Sequence, residues 1–185
     1  MKFRNNLSIL DQYSSGAISK IAFYLIGIIL LSVSSKISIP FFPVPMTLQT
    51  FVVYFIAASM GMVGFYSTIS YVALGLMGLP IFAAGGGFAY IMSPTFGFLY
   101  GMILASFFIA YLSKNLFNKN IIKLFFAISL GALIIFSCGI IHLSGFIGLE
   151  KALTAGLYPF IYSEFLKIAL AILVTYLLIK KTNQV

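Results

Sequence analysis

Residues 37–113 read ISIPFFPVPMTLQTFVVYFIAASMGMVGFYSTISYVALGLMGLPIFAAGGGFAYIMSPTFGFLYGMILASFFIAYLS, and this stretch contains no Asp, Glu, Lys, Arg or His. A soluble domain covers its surface with charged side chains, which make up about a quarter of its residues on average. Water is therefore not the solvent around this part of the chain. The stretch predicts a protein that lies in a lipid bilayer.

The composition of the whole chain indicates the same class. Of the 185 residues, 62% are hydrophobic and 8% are charged, and the net charge is +8. In a soluble protein this charge would suggest a nucleic-acid partner. Here the cations form short clusters between apolar runs, which is typical of the cytoplasmic loops of membrane proteins. We therefore expect a lipid bilayer, and no nucleic acid, around this protein.

The apolar runs predict six membrane spans. A helix that crosses the bilayer needs about 20 predominantly apolar residues, and by that criterion residues 1–185 form a single domain. The predicted fold class is an all-α integral membrane protein with a bundle of six transmembrane helices. The second and third spans are separated only by Gly61 and nearby small residues, so their boundary is open. The spans are placed near residues 17–36, 46–60, 62–79, 94–113, 121–142 and 155–179.

The basic residues predict the orientation of these spans. Lys and Arg are retained on the cytoplasmic side, and with both termini inside, all three basic clusters are cytoplasmic. The outer side then keeps only Lys36 and the adjacent pair Glu150 and Lys151, whose charges nearly cancel. We expect a multi-pass protein of the cell membrane with a short cytoplasmic segment at residues 1–16. The clusters are Lys2, Arg4 and Lys20, then Lys114, Lys119 and Lys123, then Lys180 and Lys181.

Two segments on the predicted outer side are too irregular for helix and too apolar for a solvated loop. In residues 39–45, three prolines remove backbone donors and favour extended geometry. In residues 79–87, three consecutive glycines permit backbone shapes that other residues avoid. Irregular backbone is tolerated at membrane depth where it is buried in protein or lines a cavity. We expect a Pro-rich segment and a Gly-rich loop that wall a pocket, with ordinary surface caps as the alternative.

Glu164 and Lys167 lie inside the sixth predicted span. Three positions separate them, so on a helix they share one face and can pair. If that span begins near Ala155, both side chains lie in the middle of the bilayer. Ionisable groups at such depth are costly and usually mark a ligand or ion path. A purely structural ion pair between helices is the alternative.

Gln49 in the second span adds a polar group close to the Pro-rich segment. Together with the two irregular segments and the buried Glu and Lys, it predicts a mostly apolar pocket in the outer half of the bundle. Such a pocket suits a small organic ligand with an apolar body and hydrogen-bonding or charged ends. A carboxylate in it can accept from ligand N–H groups, and an ammonium can donate to ligand oxygens.

Enzyme signatures are missing from the chain. No Gly-rich phosphate loop with Lys and Ser or Thr is present, so ATP hydrolysis of that type is excluded. One cysteine, Cys138, one histidine, His142, and three acids offer neither a metal cluster nor a nucleophile beside a base. We expect no enzymatic activity and no cofactor, and the energy for any transport must come from elsewhere.

The run Ile39-Pro-Phe-Phe-Pro-Val-Pro-Met-Thr-Leu-Gln-Thr50 resembles the proline-rich signature of the BioY family. That family comprises the biotin-specific substrate-binding subunits of energy-coupling factor (ECF) transporters. The resemblance continues in family order over nearly the whole chain. The further matching segments are Tyr71–Ala83, Pro94–Gly101, Gly156–Ile161 and Lys167.

The resemblance implies a six-helix membrane protein that captures biotin from outside. It also implies a transmembrane coupling protein and two cytoplasmic ATPases as partners, although some members are thought to work without a dedicated module. In the family an Asp and a Lys on the last helix contact the ligand, and Glu164 stands where the Asp would be. Tyr162 and Ser163 replace a Pro and a Gly of the family pattern. The small-residue stripe used for docking on the first helix is poorly matched.

The leading prediction is therefore a membrane-embedded biotin-binding subunit for biotin uptake. The alternatives are a subunit for another vitamin, or a small channel or structural membrane protein. The pocket is predicted to be roofed by residues 39–45 and 85–87, with Lys167 meeting a ligand carboxylate or carbonyl and Glu164 meeting ligand N–H groups. The predicted site residues are Phe42, Gln49, Gly86, Tyr90, Glu164 and Lys167.

Overall fold

The computed structural model describes residues 16–114 and 121–182. Within these ranges the chain forms seven α-helices and one pair of two-residue strands, with 3-10 turns at Phe88–Met92 and Tyr158–Phe160. The predicted cytoplasmic segment 1–16, apart from Gly16, and the basic residues Lys2, Arg4 and Lys119 lie outside the described residues. The elements are α1 (Ala17–Lys36), β1 (Ser38–Ile39), β2 (Met46–Thr47), α2 (Gln49–Met60), α3 (Met62–Leu76), α4 (Phe96–Lys114), α5 (Ile121–Ile147), α6 (Leu149–Gly156) and α7 (Ile161–Thr182).

Four stretches of this fold are long and apolar enough to cross a membrane, judged by length and composition. They are Ala17–Lys36, Phe96–Ser113, Ile121–Ile147 and Leu149–Leu178, the last of which includes α6 and most of α7. The predicted all-helical, apolar architecture is thus confirmed. Large apolar side chains such as Ile29, Leu133 and Leu166 are exposed on the outer faces of these stretches, which is unfavourable in water and favourable against lipid.

Helix α2 occupies the centre of the bundle. Ten of its twelve residues are buried, and it packs against α1, α3, α4, α5 and α7. At 1.5 Å per residue it is about 18 Å long, shorter than the hydrocarbon core, so it depends on neighbouring helices rather than lipid for its surroundings. Gly61 makes the turn into α3 with a positive φ of 58°, which confirms it as the boundary between these helices.

The Pro-rich segment connects β1 to β2. Ser38 pairs with Thr47 and Ile39 with Met46 in an antiparallel register, and residues 40–45 form the irregular connection between them. The predicted second span began at residue 46, but helix begins only at Gln49. Pairing with β1 holds Met46 and Thr47 in extended backbone, which is why this start was placed too early.

The Gly-rich loop is tied to the end of α1. Ser35 Oγ donates to the carbonyl oxygen of Ile81 at 2.6 Å, and Lys36 Nζ donates to that of Phe82 at 2.5 Å. The Phe82 side chain is fully buried. The loop is thus folded onto the bundle, and helix α3 ends at Leu76, earlier than the predicted residue 79.

The last predicted span began near residue 155, whereas α7 begins at Ile161. Residues 149–156 form the separate helix α6, and a 3-10 turn that contains Pro159 precedes α7. Proline lacks the N–H needed to continue an α-helix through this point. Glu164 consequently lies in the first turn of α7 rather than in the interior of a helix that begins near residue 155. An acidic side chain is favoured at this end of a helix by the helix dipole.

Candidate ligand-binding site

Glu164 and Lys167 form a buried ion pair on α7. Lys167 Nζ lies 3.2 Å from Glu164 Oε2, and the two residues are 5% and 9% exposed. Their spacing of three positions places both side chains on one face of the helix, as the sequence predicted. That face packs against the central helix α2, so the charges point into the bundle rather than toward lipid.

Two hydroxyl groups of α2 complete the surroundings of this pair. Thr50 Oγ1 donates to Glu164 Oε2 at 3.1 Å and accepts from Lys167 Nζ at 3.2 Å. Tyr54 Oη donates to Glu164 Oε1 at 2.5 Å. Both carboxylate oxygens therefore accept hydrogen bonds from protein donors, which offsets the cost of burying the charge.

A second polar chain starts at Gln49. Its Nε2 donates to Tyr71 Oη at 2.7 Å, and Tyr71 Oη donates to the carbonyl oxygen of Ile81 at 3.0 Å. The same carbonyl accepts from Ser35. This chain links α2, α3, the Gly-rich loop and α1, so the position of Gln49 depends on the loop.

The Glu164–Lys167 pair and Gln49 face a shared cavity of about 50 Å³. Its charged lining comes from α7, and its uncharged polar lining comes from α2, β2, the Phe88–Met92 turn and Thr95. Its apolar lining comes from the two irregular segments, from α4 and α5, and from the turn before α7. The lining residues are Val44, Pro45, Thr47, Gln49, Thr50, Ala83, Tyr90, Thr95, Phe98, Leu99, Met102, Phe136, Phe160, Glu164 and Lys167.

Four of the six predicted site residues line this cavity: Gln49, Tyr90, Glu164 and Lys167. Tyr90 is held there by its ring contact with Phe82, with centroids 4.7 Å apart. The other two lie outside the lining. Phe42 is 95% exposed, and Gly86 packs so closely that a Cβ there would lie 2.1 Å from the carbonyl oxygen of Leu79.

Tyr162 and Ser163, the two departures from the family pattern, do not line the cavity either. Tyr162 is exposed, and Ser163 Oγ donates to the carbonyl oxygen of Phe160 within its own helical turn. They thus change the outer surface of α7 and the local turn, while Glu164 and Lys167 keep their inward direction.

Sequence reasoning missed the hydroxyls of Thr50 and Tyr54 and the aromatic wall of Phe98, Phe136 and Phe160. A signal for the hydroxyls existed, because Thr50 and Tyr54 are four positions apart and share one face of a helix. The aromatic residues carry no such signal, since Phe and Tyr occur throughout the sequence.

The arrangement offers both hydrogen-bond polarities in an apolar enclosure. An ammonium has three N–H donors; Lys167 directs two of them at Thr50 and Glu164, which leaves one for a ligand. The carboxylate of Glu164 retains lone-pair capacity beyond its three protein donors. Within residues 16–114 and 121–182, no group of three His, Cys, Asp or Glu side chains could hold a metal ion.

Comparison with known proteins agrees with this picture. The sequence matches the profile of the BioY family over residues 5–184. It is 37% identical over 148 residues to the "Probable biotin transporter BioY" of Pyrococcus horikoshii, an alignment that covers 78% of this chain and 86% of that protein. It is 36% identical over 149 residues to the "Biotin transporter BioY" of Thermotoga maritima, with the same coverage.

A solved structure is also similar. The crystal structure of "the S-component for biotin from an ECF-type ABC transporter" superposes with a TM-score of 0.79 at 25% sequence identity, covering 88% of this chain and 92% of that chain. The family profile spans nearly all of the sequence, and both relatives exceed a third identity over most of their length. The chain therefore belongs to the BioY family.

Proposed function

We propose that this chain is a membrane protein that binds biotin and mediates its uptake. The observation that carries the proposal is the buried Glu164–Lys167 pair facing an aromatic cavity, in a chain whose relatives are named biotin transporters. Those relatives are transporters rather than enzymes, so the chain is assigned transport and no catalytic role.

The chemistry of biotin suits this cavity. Biotin has a ureido ring with two N–H groups and a carbonyl, a sulfur-containing ring, and an aliphatic chain that ends in a carboxylate. Lys167 donates to a carbonyl or carboxylate oxygen, and Glu164 accepts from ureido N–H groups. Phe98, Phe136 and Phe160 contact the apolar body of the ligand.

The size of the cavity implies movement. A ligand of this kind usually occupies a pocket of about 300 Å³ or more, whereas the described cavity measures about 50 Å³. Room for the ligand requires the walls to separate. The irregular segments that carry Val44, Pro45 and Ala83 lie outside the helices, so they are the part of the wall proposed to move.

The proposed topology is a single domain of six transmembrane helices, with both termini in the cytoplasm and the Pro-rich and Gly-rich segments on the outer side. The distribution of basic residues supports this orientation. The short helices α2 and α3 complete the six within the bundle. On this topology the cavity lies near the outer surface and receives biotin from outside the cell.

Energy is proposed to come from a transmembrane coupling protein and ABC-type ATPases. The support is the similarity to a biotin S-component from an ECF-type ABC transporter, together with the absence of a phosphate loop in this sequence. Uptake of labelled biotin in cells that lack their own biotin transporter tests the requirement. We expect uptake to rise when such a module is co-expressed, and equal uptake with and without it would overturn this part of the proposal.

Calorimetry on the purified protein tests the binding function. We expect saturable binding of biotin at micromolar protein, with one site per chain. Riboflavin, thiamin and lipoate serve as competitors, and none should displace biotin. An absence of heat from protein that is folded by circular dichroism would overturn the biotin proposal, and displacement by another vitamin would reassign the ligand.

A further inference from the structure

We infer that Tyr54 is a positioning residue for Glu164, and that it makes a glutamate, rather than an aspartate, the side chain that fits at position 164. The effect on ligand affinity rests on the proposed biotin-binding function. The hydrogen bond itself does not, because it is present in the protein alone.

Tyr54 contacts the Glu164 carboxylate from outside the cavity. Its side chain is fully buried and does not line the cavity, whereas Glu164 does. Its Oη lies 2.5 Å from Glu164 Oε1, within the range of short, charge-assisted O–H···O⁻ bonds. Because Tyr54 does not line the cavity, we expect it to influence binding through the carboxylate that it holds.

The two hydroxyls of α2 hold the carboxylate at both oxygens. Thr50 and Tyr54 are four positions apart on one face of α2, and they donate to Oε2 and Oε1 respectively. This fork, formed by the hydroxyl groups of Thr50 and Tyr54, fixes the rotation of the carboxylate plane. It thereby also places Oε2 against Lys167 Nζ, which sets the direction of the remaining ammonium proton toward the cavity.

The fork requires the length of glutamate. An aspartate carboxylate would lie one C–C bond, about 1.5 Å, closer to the backbone of α7. A shift of that size takes the 2.5 Å contact with Tyr54 and the 3.1 Å contact with Thr50 beyond the usual range of a hydrogen bond unless the helices move. The hydroxyl of Tyr54 would then be buried without an acceptor, which destabilises the protein.

This relationship predicts that the effect of Tyr54→Phe on stability depends on whether residue 164 is glutamate or aspartate. In the wild-type background, Tyr54→Phe removes a bond to a charged group and lowers stability. In the Glu164→Asp background, the same substitution removes a buried hydroxyl that has lost its partner, so it raises stability or leaves it unchanged. A tyrosine that served only through the packing of its ring would be replaced by phenylalanine equally well in both backgrounds.

The experiment compares Tyr54→Phe, Glu164→Asp and the double variant with the wild type, by thermal unfolding without ligand and by calorimetric titration with biotin. Tyr24→Phe is the matched control, because Tyr24 Oη donates to Ser70 Oγ at 2.6 Å between α1 and α3 and does not line the cavity. It should change biotin affinity less than about twofold.

We expect Tyr54→Phe to lower the unfolding temperature and to weaken biotin binding about tenfold, as is typical for loss of a hydrogen bond to a charged group. In the Glu164→Asp background it should cause no further loss of stability or affinity. Equal losses in the two backgrounds, or wild-type affinity in Tyr54→Phe, would overturn the assignment. If the folded wild type binds no biotin, the proposed function fails, while the unfolding measurements still decide whether Tyr54 holds Glu164.

Discussion

Lys167 Nζ lies 3.2 Å from both Glu164 Oε2 and Thr50 Oγ1, so the ammonium bridges helix α7 and the central helix α2. Burying two charges is favourable only when each is paired and hydrogen-bonded. Removal of either member leaves a charge without its partner in an apolar wall. The pair is therefore expected to affect both ligand binding and stability.

Lys167→Met should weaken biotin binding by at least about thirtyfold, because it removes a buried donor that faces the cavity. It should also lower the unfolding temperature, since Glu164 loses its cation. Calorimetry and uptake of labelled biotin measure the first effect, and thermal unfolding measures the second.

The matched control is Lys151→Met, which removes an exposed lysine on α6, away from the cavity. It should bind biotin as the wild type does. Wild-type uptake by Lys167→Met would instead support the alternative that the pair is only structural.

Tyr71→Phe should loosen the Gly-rich loop. The hydroxyl accepts from Gln49 and donates to the carbonyl oxygen of Ile81, and its loss leaves the buried amide of Gln49 without this partner. We expect roughly tenfold weaker biotin binding and faster amide hydrogen exchange in residues 79–87. Unchanged exchange in that segment would show that Tyr71 does not hold the loop.

Gly75→Ala should displace the Phe82 ring, which packs against Gly75 of α3. A Cβ at this position would lie 2.2 Å from the Phe82 ring, and that ring contacts Tyr90 of the cavity wall. Overpacking of this kind costs about 1–3 kcal/mol. Thermal unfolding should show a loss of stability and calorimetry a loss of biotin affinity, even though alanine favours helix more than glycine does.

Gly145→Ala is the matched control for this substitution. Gly145 lies in α5, and a Cβ there meets nothing within 4 Å. It should keep the wild-type affinity and equal or exceed the wild-type stability. If both alanine variants behave alike, the close approach of Phe82 to Gly75 does not support the cavity wall.

Phe160→Ala should enlarge the cavity and lower its affinity for biotin. Phe160 is buried in the lining, and its ring centroid lies 6.1 Å from that of Phe136. Truncating a buried phenylalanine costs about 3–5 kcal/mol of stability, so the unfolding temperature should fall together with biotin affinity. Phe126→Ala, on the exposed side of α5, should change neither, and equal losses in the two variants would contradict the assigned wall.

The proposed orientation can be measured by thiol labelling. Cys138 is the one cysteine of the sequence, so Cys138→Ser provides a cysteine-free background. Met92→Cys, at an exposed position beside the Gly-rich loop, should react with a membrane-impermeant maleimide in intact cells. Thr182→Cys, at the end of α7, should react only after lysis, and the reverse pattern would invert the topology.

Several features of the fold followed from the sequence because they depend on local composition. Residues without charge cannot form a water-facing surface, and within the described residues four apolar stretches are long enough to cross the bilayer. The start of α7 was misplaced for a local reason too, since Pro159 separates α6 from α7 and the apolar character continues across it. Composition alone does not register that interruption.

The position of Phe42 illustrates a different limit. Its signature segment was correctly recognised, but the segment places Val44 and Pro45 in the cavity wall and leaves Phe42 exposed. In irregular backbone the direction of a side chain follows from turns and strand pairing, not from a repeat of 3.6 or 2 residues. A residue of the segment therefore cannot be assigned to the pocket by its type.

The sequence by itself determined the membrane class, the family, and the placing of Glu164 and Lys167 on one helical face, since hydropathy, motif order and a spacing of three are all local properties. Only the tertiary structure decided what holds that pair. Thr50 and Tyr54 mark one face of α2, but nothing in the sequence pairs that face with α7. Packing brings Thr50 and Tyr54 to a carboxylate more than a hundred positions away, because hydrogen bonds across a bundle depend on how whole helices are rotated against one another.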